Sequence, residues 1–88
     1  MKIPESLAKL VQEQPKAIQR EIVKGLDAIV ANPAIGTYAG YPYQAHYLRH
    51  TTEHVLIMYR VVDDDPEILA LNRIPSIEEI RERLRDLL

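Results

Sequence analysis

Three histidines recur at four-residue intervals, His46, His50 and His54, and Arg49 and Arg60 lie among and just beyond them. From Pro33 to Val62 the only acidic residue is Glu53, so this middle third is where an anion would bind. Imidazole exchanges protons near neutral pH, and a group of imidazoles beside guanidinium suits work on a phosphodiester. Cleaving RNA needs a base for the 2′-OH, an acid for the leaving 5′-oxygen and a cation for the phosphate. His46, His50 and His54 are candidates for the first two roles, and Arg49, Arg60 or Arg73 for the third. Two other readings of the histidines stand beside this one. Three imidazoles could ligate zinc, or they could simply face water on the open side of a sheet. No metal and no organic cofactor is expected.

Every aromatic residue is a tyrosine, and all five lie between Tyr38 and Tyr59. Tyr38, Tyr41, Tyr43 and Tyr47 could stack on bases, although with Phe and Trp absent tyrosine must also fill the core. Tyr59 lies in the most apolar stretch and is expected inside. Asp63-Asp64-Asp65 has no distal glutamate at calcium-loop spacing and reads as a solvated turn.

The elements that must hold these residues follow from periodicity. Pro4 suits a helix start, and Leu7, Leu10 and Val11 give that helix one apolar face. Pro15 prevents smooth continuation, so a second helix begins there. It carries Ile18, Ile22, Leu26, Ile29 and Val30 as its buried stripe and stops at Asn32-Pro33. Gly36, Gly40 and Pro42 mark a connector. Residues 43–50 alternate as a strand, Thr51-Thr52-Glu53 connects, and residues 54–62 are apolar almost throughout, as in a strand buried on both faces. In this reading His46 and His50 share a strand face, and His54 enters the next strand close to His50. Asp63-Asp64-Asp65-Pro66 reads as a turn and residues 67–72 as a third strand. Ser76 with Glu79 three positions on is a capping box, opening a last helix with Ile77, Ile80, Leu84 and Leu87 on its stripe. The predicted fold is α+β: an N-terminal helical hairpin on a three- to four-stranded antiparallel meander, then a C-terminal helix, with residues 1–88 forming one domain.

Composition narrows the classes. The chain has 88 residues, of which 47% are hydrophobic and 27% charged, the make-up of a folded domain rather than a disordered one. It has no cysteine, which removes disulfides, thiolate nucleophiles and Cys-ligated zinc. A formal charge of −2 argues against coating nucleic acid through bulk charge. Neither a secretory leader nor a long apolar run is visible, so a cytoplasmic protein without membrane contact is expected.

One stretch carries a family resemblance. Residues 35–41 (Ile-Gly-Thr-Tyr-Ala-Gly-Tyr), then Gln44-Ala45-His46, then residues 55–61 (Val-Leu-Ile-Met-Tyr-Arg-Val) resemble the YafQ-like and RelE-like branch of the RelE/ParE toxins of bacterial type II toxin–antitoxin systems. The resemblance implies a helical hairpin on an antiparallel sheet, and a toxin that cuts ribosome-bound mRNA and so inhibits translation. It implies a cognate antitoxin protein as partner. It places a catalytic role on His46, a second on His54 just ahead of the apolar strand, and a phosphate contact on Arg73. In Asn72-Arg73-Ile74-Pro75-Ser76 no histidine stands where that branch has one, and position 42 is proline where it has arginine. The alternative is therefore a member of the fold without nuclease activity, either a gyrase-inhibiting toxin of the ParE kind or a protein-interaction module. Met1-Lys2-Ile3 is short for the strand with which such proteins open. That leaves a sheet edge to be covered, for instance by a second copy in a homodimer.

Overall fold

A computed structural model describes residues 1–40 and 47–88. His46, the strand start at Tyr43 and the motif residues Tyr41, Pro42, Gln44 and Ala45 lie outside the described residues. Helix α1 spans Glu5–Gln12 and α2 Lys16–Ala31, each preceded by a proline in extended conformation, Pro4 and Pro15. The Gln19 side chain donates to the carbonyls of Gln14 (2.8 Å) and Gln12 (3.1 Å), joining α2 to the end of α1. A 3-10 turn, Pro33–Ile35, leads into β1 (Thr37–Tyr38). Strands β2 (Leu48–Thr51), β3 (Val55–Val62) and β4 (Asp65–Arg73) follow, and α3 (Ile77–Leu87) ends the chain. The sheet is antiparallel throughout, in the order β1-β2-β3-β4. The α+β architecture expected from the sequence is therefore present.

The helices cover one face of the sheet. Ile18, Ile22, Leu26 and Ile29 of α2 pack on Val55, Ile57 and Tyr59 of β3 and on Ile68 and Leu71 of β4, with Leu7, Val11 and Leu48 at the margin. Val30, expected in the stripe, is 52% exposed. It lies about a quarter-turn beyond the stripe's centre at the helical pitch. Strand β3 is likewise not buried on both faces. Val55, Ile57 and Tyr59 are buried, while Leu56, Met58 and Arg60 on the other face are half-buried. Being apolar, Leu56 and Met58 look like core residues in the sequence, but both stay half-buried, on the face opposite the buried Val55, Ile57 and Tyr59.

Two turns differ from expectation. The β3–β4 hairpin turns on Asp63 and Asp64 alone, both at positive φ (51° and 64°), the two-residue geometry that suits a twisted hairpin. Pro66 is therefore not in the turn but in β4, opposite Val61. Its carbonyl points to the outer edge, where it accepts the Lys2 N–H at 2.9 Å. Its nitrogen points the same way, so the missing N–H removes nothing from the ladder with β3. Lys2 also accepts from the Ile68 N–H at 2.9 Å, a single parallel bridge that partly covers the β4 edge. A bulge opposite Met58 and Tyr59 sets Ala70 and Ile68 against them and leaves Leu69 between. Ile68 and Leu71, three apart, can then both face the helices.

At α3 the Ser76 hydroxyl oxygen accepts from the Glu79 N–H at 3.1 Å, as the capping pattern predicts. The helix packs little against the rest: Ile77, Ile80, Leu84 and Leu87 are 43–81% exposed. Among the described residues no helix is long and apolar enough to cross a membrane.

Candidate active site

Pairing register decides which candidate side chains can meet. Strand residues directly opposite one another point to the same face. His50 stands opposite the buried Ile57 and so points toward α2. Arg73 stands opposite the buried Val55 and points to the same side, at the end of the sheet. Arg49 opposes Met58 and Arg60 opposes Glu67, which puts both arginines on the uncovered face. The candidate side chains are thus divided between two faces of the sheet. The open face holds Arg49 and Arg60, while His50, His54 and Arg73 belong to the helix side and its end. His46 lies outside the described residues.

On the open face, Arg60 is occupied. Its Nε and Nη2 donate to the two carboxylate oxygens of Glu67 at 3.2 and 3.3 Å, a bidentate pair. Arg49 Nε donates at 3.4 Å to Thr37 Oγ1 across the β1–β2 pairing.

The other end is built around His54, which lies not in β3 but in the tight β2–β3 turn. That turn is closed by Thr52, whose N–H donates to the Val55 carbonyl (2.8 Å) and whose Oγ1 accepts the Val55 N–H (3.2 Å). Helix α2 comes close enough to reach it because residue 25 is glycine. A Cβ there would lie 2.7 Å from Ile57 Cδ1 and 3.2 Å from Thr52 Cγ2. One turn earlier on α2, Glu21 grips His54 at two points. Its Oε2 accepts the His54 N–H at 3.1 Å, and its Oε1 lies 3.0 Å from the ring Nδ1. A carboxylate acceptor assigns the proton to Nδ1, and Nε2 makes no hydrogen bond within the described residues. On the opposite side of the turn, the His54 carbonyl accepts the Ile74 N–H at 2.8 Å, bringing the residue that follows Arg73 against the histidine. Arg73 itself donates to Gln14 Oε1 at 3.4 Å and forms no ion pair among the described residues.

Both members of the pair are shifted. The Glu21 hydrogen bond raises the His54 pKa; desolvation opposes this, the charges of Glu21 and Glu53 add to it, and Arg73 subtracts. For Glu21, burial pushes the pKa up, but hydrogen bonds from the His54 ring, the Thr52 hydroxyl and the His54 N–H outweigh it and hold the carboxyl below its usual value. The result is an ion pair favoured over a wider pH range than the two free groups would allow, with the His54 side chain 41% exposed.

Glu21 is the member sequence reasoning missed. It lies 33 residues from its partner, on a helix with no motif around it. The available signal was Gly25 one turn on, a small residue on the buried side of α2 that admits a close neighbour. Donor atoms of Glu21, Glu53 and His54 lie within 4.8 Å of one another. Two carboxylates and one imidazole at a surface turn are ordinary without an ion, and no metal site is assigned to them. Compared with protein-family models, curated proteins and solved structures, the chain matches none.

Proposed function

We propose that this chain is a RelE/ParE-like toxin that cleaves ribosome-bound mRNA at the His54 end of the sheet, so inhibiting translation, and that a cognate antitoxin holds it in check. The observation that carries the reading is the two-point grip of Glu21 on His54, with Nε2 making no hydrogen bond among the described residues and Arg73 followed directly by Ile74, whose N–H bonds the His54 carbonyl. The 2′-oxygen attacks phosphorus as a base takes its proton, and the P–O5′ bond breaks as an acid protonates the leaving oxygen. The products are a 2′,3′-cyclic phosphate and a 5′-hydroxyl. His54, its pKa raised, is the acid at Nε2. Arg73 meets the charge on the non-bridging oxygens, and Glu21 is a positioning residue that fixes ring and tautomer. His50, or His46 beyond the described residues, is the base. Arg49 and Arg60, on the far face, have no part in this step.

The test is controlled expression in a bacterial host with translation and mRNA integrity followed. Growth arrest with cleaved mRNA for the parent chain, relieved by His54→Ala, is the expected outcome. Normal growth and intact mRNA at high levels of folded protein would remove the nuclease.

A second reading, a fold member that acts by binding a protein such as gyrase, is favoured by the exposed stripe Ile77, Ile80, Leu84 and Leu87. Their 3-4-3 spacing is that of a seam for another helix. Inhibition of gyrase supercoiling that survives His54→Ala and is lost in Leu84→Glu would establish it.

A further inference from the structure

Between the end of β4 and α3 lies a cleft of about 310 Å³ lined by Arg73, Ile74, Pro75, Glu79 and Arg83. Two arginines ten residues apart in sequence line this cleft, Arg73 also donating to Gln14 Oε1, and neither forms an ion pair among the described residues. Among the arginines of the described residues Arg60 forms an ion pair, with Glu67. Arginines from two elements lining one hollow can supply donors to an anion with several oxygens, and planar donors of this kind match phosphate. The floor of the cleft is fixed to the candidate active site, because the Ile74 N–H is bonded to the His54 carbonyl. The cleft thus adjoins the turn that carries His54.

We propose that the β4–α3 cleft binds the phosphate backbone of single-stranded RNA through Arg73 and Arg83, making α3 a substrate-binding element that extends the track from His54. This deepens the nuclease reading and rests on it for the direction of the track. Glu79, on the same wall, opposes the anion and limits its affinity.

The test uses a fluorescent oligoribonucleotide with every 2′-OH methylated, so that binding is measured without cleavage, by anisotropy across a salt series. Each phosphate contact to a single strand contributes about 0.7 to the slope of log K against log salt. Arg83→Gln is expected to flatten the slope by about 0.7, and the double variant with Arg73→Gln by about twice that. Arg81→Gln, which does not line the cleft, leaves the slope as in the parent. Glu79→Gln tightens binding and leaves the Ser76 cap intact, since that cap uses only the Glu79 backbone N–H. Circular dichroism confirms that each variant is folded. Absence of binding by the parent, a parental slope in Arg83→Gln, or an equal loss in Arg81→Gln would each overturn the cleft. Parallel cleavage of the unmethylated strand separates the two ideas. A parent that binds through Arg83 without cutting refutes the nuclease alone, and one that cuts while Arg83→Gln binds as the parent does refutes the cleft alone.

Discussion

Replacing Tyr59 by phenylalanine removes one oxygen that joins the sheet to the connector after α2. The ring is completely buried, opposite Leu48 on one side and Ile68 on the other. Its hydroxyl donates to the Pro33 carbonyl at 2.7 Å and accepts the Gly36 N–H at 2.9 Å. Gly36 must be small for this, since a Cβ there would lie 2.6 Å from that hydroxyl and 2.9 Å from the Arg49 carbonyl. Phenylalanine keeps the packing of the ring, so nothing is lost but the two bonds, each worth about 1 kcal/mol net. Both partners lie in a partly buried connector that water can reach, which keeps the loss near about 2 kcal/mol rather than the larger figure for sealed, unsatisfied groups. At about 4–8 °C per kcal/mol for a domain of this size, the melting temperature falls by roughly 8–16 °C. Urea unfolding should show a lower midpoint with an unchanged slope, and the Gly36 amide should exchange faster than the β3 amides. The His54 titration followed by NMR should not move, because the Glu21 grip is untouched. A midpoint within about 0.3 kcal/mol of the parent, or a Gly36 amide as protected as before, would show that the hydroxyl does not hold the connector.

Three other expectations are independent of that one. Gly25→Ala should destabilise by about 1 kcal/mol in urea unfolding despite the roughly 1 kcal/mol gained in helix propensity, because Ile57 Cδ1, 2.7 Å away, belongs to a fully buried side chain with nowhere to swing; a gain in stability would mean that α2 can lift off the sheet. Asp64→Gly should stabilise by about 0.5–1 kcal/mol, measured the same way, since φ at position 64 is positive. Glu21→Gln should lower the His54 pKa seen by NMR and reshape the pH dependence of stability. The raised His54 value contributes stability that is complete below the ordinary imidazole pKa and is lost as pH rises through the folded value. The lowered Glu21 value contributes stability that is complete above the ordinary carboxyl pKa and is lost as pH falls through the folded value. The deficit of Glu21→Gln is therefore largest between about pH 4.3 and 6.5 and shrinks as pH rises through the raised His54 value; a deficit constant with pH would show that the pair is not ionised.

Periodicity made the helices legible, because Ile18, Ile22, Leu26 and Ile29 recur at the pitch of a helix facing one surface. It overreached at Val30, where an apolar residue lies off the stripe's axis, and at Leu56 and Met58, where apolar character and burial part company. The start of β4 was misjudged through Pro66. A proline reads as a turn because it lacks a donor, and the sequence does not reveal that this donor would have pointed off the outer edge. Strand β1 has two residues and no periodicity, and Lys2 pairs through its backbone alone, so neither leaves a side-chain pattern to read. For the candidate site, the histidine spacing was visible but its consequence was not. Which face a strand residue occupies depends on the register with its neighbour, and the β2–β3 register follows from where the turn at Glu53-His54 closes. Glu21 was out of reach for a different reason: its role arises from helix-to-turn proximity across 33 positions.

The division of the sheet has a chemical consequence. Arg49 and His50 are adjacent in sequence and for that reason cannot serve one site, since consecutive strand residues point through opposite faces. A guanidinium for a phosphate at His54 must instead come from a segment that crosses the end of the sheet. Arg73 qualifies because β4 runs past the β2–β3 turn before the chain leaves for α3. The same departure swings Arg83 over the hollow beside it. The groups suited to phosphate chemistry therefore gather where the β2–β3 turn and the end of β4 meet the side of α2. The contact that fixes this end is the approach allowed by Gly25, which brings α2 near enough for Glu21 to reach the turn. A bulkier residue at 25 would act on His54 without touching it. In Gly25→Ala the His54 pKa should fall toward its ordinary value together with the loss of stability, as the helix retreats and the Glu21 hydrogen bonds lengthen. Stability lost with the His54 titration unchanged would separate the packing of α2 from the positioning of the imidazole, and with it the claim that the core sets the chemistry at this end.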